Sequence, residues 1–279
     1  MNLQKAGGLN GFQLKLLALV CMTFDHIYYF LGGLLPIPFW FGIIGRMAAP
    51  IFIFMVAEGF AHTHSRPRYL LRLYLFSVGM GVLNQLENRF LPHPTGAMAI
   101  GNIFATMCYL VWYLSCLEWV RSRTGRARVL GVAGLLLPFV VQSAVFGLMS
   151  WAAGAGLFQI QLGMALAMLT VLPLPLTVEG GVMFLVLGIG LYYLRKRPVG
   201  LGLFYLAISA VFLVSVLPGG MSMENLVYSN YQWLMILALP LLLAYNGKRG
   251  RGMKYLFYFY YPAHMLALLL LARAIGSAG

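Results

Sequence analysis

The sequence predicts an all-α fold: a polytopic membrane helical bundle with about nine or ten transmembrane helices. Composition is the first reason. Of 279 residues, 61% are hydrophobic and 9% are charged, and the mean hydropathy is +0.85, a balance suited to lipid rather than water as solvent. Secondly, apolar runs recur along the whole chain, each close to the roughly 20 residues that a helix needs to cross the hydrocarbon core. Thirdly, the basic residues collect in connectors between these runs. A single integral membrane domain over residues 1–279 is expected.

The spans are expected at 12–33, 39–62, 69–87, 99–119, 129–149, 155–176, 180–194, 199–217, 230–246 and 254–274. The opening, Met1 to Gly11, is short and polar, and no small-residue cleavage site follows the first apolar run. A signal peptide is therefore not expected, and the first helix remains as an anchor. Cys21, Cys108 and Cys116 all lie inside apolar runs. Their spacing fits neither a metal pattern nor a disulfide framework, so they read as small core hydrophobes.

A net charge of +13 would fit nucleic acid, but the charges are placed otherwise. Lys5 and Lys15; Arg66, Arg68 and Arg72; Arg121, Arg123, Arg126 and Arg128; Arg195, Lys196 and Arg197; and Lys248, Arg249, Arg251 and Lys254 occupy alternate connectors. That is the positive-inside pattern of an integral membrane protein, with no nucleic acid implied. It sets the N-terminus in the cytoplasm and residues 34–38, 88–98 and 218–229 outside. If 129–149 and 155–176 both crossed, Arg195 to Arg197 would lie outside, against the charge bias. The stretch 155–176 contains Gln159, Gln161, Pro173 and Pro175, so part of it is expected to be re-entrant or interfacial. About nine true crossings result, with the C-terminus outside.

Within the first span, Asp25 and His26 stand side by side. Ionisable residues at mid-membrane cost several kcal/mol and mark functional sites facing a protein interior or cavity. Asp25 lies ten residues past Lys15, about 15 Å along the helix and near the midplane. The second helix runs back from Phe39, which puts Arg46 about 10 Å below the outer boundary. The short connector makes the two helices antiparallel neighbours, and Asp25 is the nearest carboxylate for Arg46. A static buried ion pair, with His26 hydrogen-bonded beside it, is one reading. The functional reading makes His26 a general base, Asp25 the group that sets its tautomer or basicity, and Arg46 an electrostatic stabiliser or substrate anchor. Neighbouring helix residues point about 100° apart, so Asp25 and His26 cannot both face the same partner.

Asn84, Gln85, Asn102 and Gln232 lie near outer ends of their spans, and His264 near mid-depth beyond Pro262. Each is either an interhelical hydrogen bond or a substrate contact. Glu58 and His62 share a helix face near the cytoplasmic end, yet no third ligand follows at suitable spacing, so no metal is expected. Arg66, Arg68 and Arg72, with Lys248, Arg249, Arg251 and Lys254, would form a basic cytosolic mouth for a phosphate-bearing ligand.

The runs Leu9-Asn10-Gly11-Phe12-Gln13-Leu14-Lys15 and Thr23-Phe24-Asp25-His26-Ile27 resemble the start of the TraX family. So do Gly45-Arg46-Met47-Ala48-Ala49-Pro50-Ile51-Phe52, Ala57-Glu58-Gly59-Phe60, Tyr69-Leu70-Leu71-Arg72-Leu73 and Gly101-Asn102-Ile103-Phe104. The ending from Tyr245-Asn246-Gly247-Lys248-Arg249-Gly250 to Tyr261-Pro262-Ala263-His264 resembles it too. The family's namesake is associated with N-terminal acetylation of conjugative pilin. The resemblance implies a transmembrane acyltransferase using cytosolic acetyl-CoA, its phosphates at the basic mouth, without a metal. His26 would deprotonate an amine or hydroxyl acceptor at the outer side, with Glu58, Asn84, Asn102, Gln232 and His264 as substrate contacts. The acceptor is left open among a peptide, a glycan and a lipid-linked molecule. A proton-coupled transporter would also bury such charges, although no inverted repeat accompanies them. A non-catalytic pilus or envelope assembly partner is the third class.

Overall fold

The computed structural model describes residues 7–252 and 254–278, without the side chains of Lys254 and Ala278. Among these residues no strand forms, and extended pairing is limited to an isolated bridge between Leu9 and Tyr245. The α-helices are α1 Gly11–Leu31, α2 Trp40–Gly45, α3 Ala48–His62, α4 Arg66–Phe90, α5 Ile103–Ser122, α6 Gly125–Gly154, α7 Phe158–Thr170, α8 Gly181–Leu194, α9 Pro198–Val216, α10 Leu239–Leu243 and α11 Lys254–Ala278. A 3-10 helix, Tyr231–Ala238, precedes α10.

Every expected span coincides with helical structure, but the count of nine or ten crossings is not reproduced. Among the described residues, 6 segments are long and apolar enough to cross a membrane: Gly11–Leu31, Trp40–His62, Ile103–Ser122, Gly125–Gly154, Pro198–Gly219 and Tyr255–Ser277. The difference lies in length and polarity. α4 has 25 residues but carries Arg66, Arg68, Arg72, Glu87 and Arg89. α7 has 13 residues and rises only about 20 Å, against a hydrocarbon core of about 30 Å. It occupies the stretch where a re-entrant or interfacial segment was expected. α8, with 14 residues, is similarly short.

Two expected helices are interrupted, and proline accounts for both. Within 39–62 the backbone tightens at Arg46 and Met47, whose N–H groups donate to carbonyls three residues back, Ile43 at 3.2 Å and Ile44 at 3.1 Å. Pro50 has no N–H for the Arg46 carbonyl and its ring crowds that carbonyl, so the α-helical ladder cannot run through. Pro240, in the first turn of α10, likewise cannot donate to Ile236, and the preceding eight residues run as a 3-10 helix.

The chain divides into two compact units. One comprises Met1–Glu58, Glu87–Met98 and Gly190–Gly279, the other Gly59–Leu86 and Ala99–Ile189. In the first, α1 packs on α2 and α11, while α9 packs on the 3-10 helix and α10. Leu14, Phe30, Ile51, Ile53, Leu191 and Tyr205 fill its interior. In the second, α5 packs on α6 and α6 on α7, around Phe60, Leu73, Leu110, Leu114, Leu174 and Leu187. Leu130, Leu136, Val140, Leu148 and Trp151 of α6 remain exposed, an apolar surface that lipid covers.

Local chemistry fixes where α1 starts. Asn10 caps it by accepting from the Gln13 N–H at 3.0 Å, and the Gln13 side chain accepts from the Asn10 N–H at 2.9 Å, a reciprocal box that satisfies two otherwise orphaned donors. This start is stitched to the segment before α11. Leu9 N–H donates to Ala244 O at 2.8 Å, Asn246 N–H to Leu9 O at 2.9 Å, and Gly11 N–H to Lys248 O at 2.8 Å. Gly250 turns with φ +70° and lies so close to Asn10 that a β-carbon would fall 2.4 Å from its side-chain oxygen, which only glycine tolerates.

Candidate intramembrane site

The site grows from the divergence of two neighbours on α1. Asp25 faces the break between α2 and α3 and forms an ion pair with Arg46. Gly45 makes this approach possible: a β-carbon there would lie 2.3 Å from the Asp25 β-carbon. Arg46 also donates from Nη1 to Gln232 Oε1 at 3.2 Å, and its guanidinium lies over the Tyr231 ring, 5.1 Å from the centroid. The Arg46 and Asp25 side chains keep 27% and 22% of their surface exposed, so the pair borders open space rather than closed core. Phe39 packs against Tyr28, Tyr228 and Tyr231 to form an aromatic surround.

His26 turns to α11 instead. Its Nδ1 lies 2.5 Å from Nε2 of His264, and the two rings are nearly parallel, 4.8 Å between centroids. His264 Nδ1 donates to the Tyr260 carbonyl at 2.8 Å. Tyr260, one turn earlier, stacks on His264 at 4.9 Å. The Thr23 hydroxyl donates to Leu19 O at 2.8 Å, and so accepts from the Tyr260 hydroxyl at 2.7 Å. Two polar rungs, Thr23 to Tyr260 and His26 to His264, therefore join α1 and α11. Alongside the Thr23 to Tyr260 rung an open groove of about 430 Å³ is lined by both helices, mostly by apolar side chains such as Leu16, Val20, Ile27 and Leu256.

The expected Asp25 to Arg46 contact is present, and Gln232 joins it. His264 meets His26 Nδ1, while Asp25 turns to Arg46. Glu58, 8% exposed, lies 3.9 Å from Arg195 at the end of the first unit's α8 segment. That contact puts Arg195 at the same end of the unit as Glu58. Lys248, Arg249 and Arg251 are exposed on the segment stitched to the start of α1, while the Lys254 side chain lies outside the described residues. Lys15, one turn into α1, sits 5.5 Å over the Phe257 ring.

The remaining candidates belong to the second unit. Arg66 pairs with Glu118 and covers Phe60 at 4.8 Å. Arg72 lies over Tyr69 at 5.4 Å, and Arg68 is exposed. Asn84 donates to Gly101 O at 2.9 Å. Asn102 donates to Ser77 O at 2.9 Å and caps α5 by accepting from Ala105 N–H at 3.4 Å. Among the described residues no three of His, Cys, Asp and Glu gather as metal ligands.

The TraX protein family matches residues 10–272. The chain belongs to the TraX family. A curated relative, "Probable fimbrial assembly protein FimC, serogroup H1" of Dichelobacter nodosus, is 24% identical over 282 residues, covering 95% of this chain and 96% of its own length. No solved structure matches. Within this TraX chain, the family-like runs at Leu9–Lys15 and Tyr245–Gly250 are the two segments stitched together by backbone hydrogen bonds, and those at Thr23–Ile27, Gly45–Phe52 and Tyr261–His264 carry the paired charges and the paired imidazoles.

Thr23, Tyr231, Tyr260 and Arg195 escaped the sequence reading as partners. Only Tyr260 carried a usable signal, being four residues before His264 on the same helix face.

Proposed function

We propose that this TraX protein is an acetyl-CoA-dependent membrane acyltransferase acting on an amine or hydroxyl acceptor at the outer side of the bacterial inner membrane. The observation that carries the reading is that α1 bears both ends of a transfer path. Its start is tied to the Lys248 to Arg251 segment. His26 lies eleven residues past Lys15, about 16 Å further along. The basic segment and Lys15 suit the phosphates of CoA, and the groove between α1 and α11 suits an extended thioester arm.

In this reading His26 takes the proton from the acceptor N–H or O–H as that atom attacks the acetyl carbonyl. The new C–N or C–O bond forms, the C–S bond breaks, and the proton passes on to the departing thiolate. Arg46, held by Asp25 and Gln232, stabilises negative charge on the carbonyl oxygen or anchors the acceptor. The name of the Dichelobacter relative supports a peptide acceptor of the fimbrial type, and equally a second reading in which the chain is a non-catalytic assembly partner. Purified protein in nanodiscs separates the two. Acetyl-CoA binding and turnover that fall with His26→Ala and Arg46→Ala, at unchanged thermal stability, support the enzyme. Neither binding nor turnover in the wild type leaves the assembly partner.

A further inference from the structure

The hydrogen bonds around His264 dictate which nitrogen of His26 is free. The Tyr260 oxygen is a backbone carbonyl and can only accept, so His264 carries its proton on Nδ1, 2.8 Å away. A neutral imidazole protonated at Nδ1 has its lone pair on Nε2. That lone pair lies 2.5 Å from His26 Nδ1, so His26 must donate from Nδ1, and its own lone pair is left on Nε2.

We propose that His264 is a positioning residue that holds His26 in the Nδ1-protonated tautomer and makes Nε2 the base of the site. The proposal rests on the acyl-transfer reading for its purpose, though not for its geometry. It also spreads the positive charge that His26 carries until the proton reaches the departing thiolate. As His26 Nε2 takes the acceptor's proton, the proton on His26 Nδ1 can move to His264 Nε2, and the positive charge is shared between two rings. Tyr260 favours that state, because its ring lies flat against His264 at 4.9 Å and 17° and presents a π face to an imidazolium. The hydroxyl bond from Tyr260 to Thr23 holds that ring in place. Two helices with no loop in common thus build one base.

The test begins with the wild-type protein in lipid, using ¹⁵N-histidine solid-state NMR at neutral pH, with the His26 signals assigned by their loss in His26→Gln. The expected spectrum has His26 protonated at Nδ1 and unprotonated at Nε2. In His264→Ala the His26 tautomer becomes mixed or inverted, and kcat for acetyl transfer falls about 10²-fold with KM little changed. His264→Gln offers a carbonyl acceptor near the same place and restores both the tautomer and most of kcat. A wild-type His26 protonated at Nε2, or a tautomer indifferent to His264→Ala, overturns the proposal. The spectrum needs no turnover, so the expected tautomer in a protein without acetyl transfer would sink the acyl-transfer reading and leave the positioning role standing.

Discussion

The two compact units differ in how polar side chains tie their elements together. In the second unit, beside the Arg66 to Glu118 ion pair, polar side chains serve the backbone: Asn84 reaches Gly101 O, Thr106 Glu179 O, Tyr109 Pro173 O and Trp112 Gly134 O, while Gln142 accepts from Leu176 N–H. In the first unit Tyr205 and His93 likewise reach Met235 O and Phe30 O, but a further set joins side chain to side chain: Asp25 with Arg46, Arg46 with Gln232, His26 with His264, and Thr23 with Tyr260. A side chain that ties down a backbone carbonyl or N–H repairs a break in a helix and has one stable arrangement. Ionisable side chains facing each other in lipid are costly to place and can exchange charge. The proposed acyl transfer belongs with the second kind.

The largest expected effect on stability comes from splitting the charge pair. Asp25→Ala leaves the Arg46 guanidinium without its carboxylate, and unfolding in detergent is expected to become easier by about 3 kcal/mol. The double change Asp25→Ala with Arg46→Met should cost less than the sum of the two singles. Strict additivity would mean that the pair contributes no coupling.

A smaller loss is expected from Gly45→Ala. Its new methyl would meet Asp25 at 2.2 to 2.6 Å, forcing α1 and α2 apart at a cost of about 1–3 kcal/mol. A melting temperature equal to wild type would show that the helices approach less closely than described.

Smallest is the loss of a cap in the second unit. Asn102→Ala removes the side-chain acceptor of Ala105 N–H and the donor to Ser77 O, worth about 1 kcal/mol. Thermal unfolding of this variant would detect it, and a drop as large as that of Asp25→Ala would erase the contrast between the units.

Much of this was legible in the sequence because depth along a helix is a simple length. Counting from Lys15 and from Phe39 brought Asp25 and Arg46 to one level, and a short connector made them neighbours. The same counting put His264 at mid-depth, but its partner lies 238 residues away, and nothing in spacing alone chooses α11 as the neighbour of α1. The 100° between Asp25 and His26 predicted that they diverge, without saying where each goes. Pro50 and Pro240 were visible as residues, yet their consequence depends on which carbonyls lose their donors, and that reverses two uninterrupted helices into broken ones. Crossing number was the least legible feature: 155–176 was expected not to cross in full, but the run in 180–194 also folds into a helix too short for a full span.

The most direct test compares two variants that each lose one polar side chain from a helix interface. Wild-type protein, His26→Ala and Thr106→Val are given radiolabelled acetyl-CoA and a primary-amine peptide in nanodiscs, and labelled peptide is counted. The expected result is transfer by wild type and Thr106→Val and a loss of about 10²-fold or more in His26→Ala. Equal transfer by His26→Ala and wild type would contradict the assignment of the chemistry to the α1 and α11 pair.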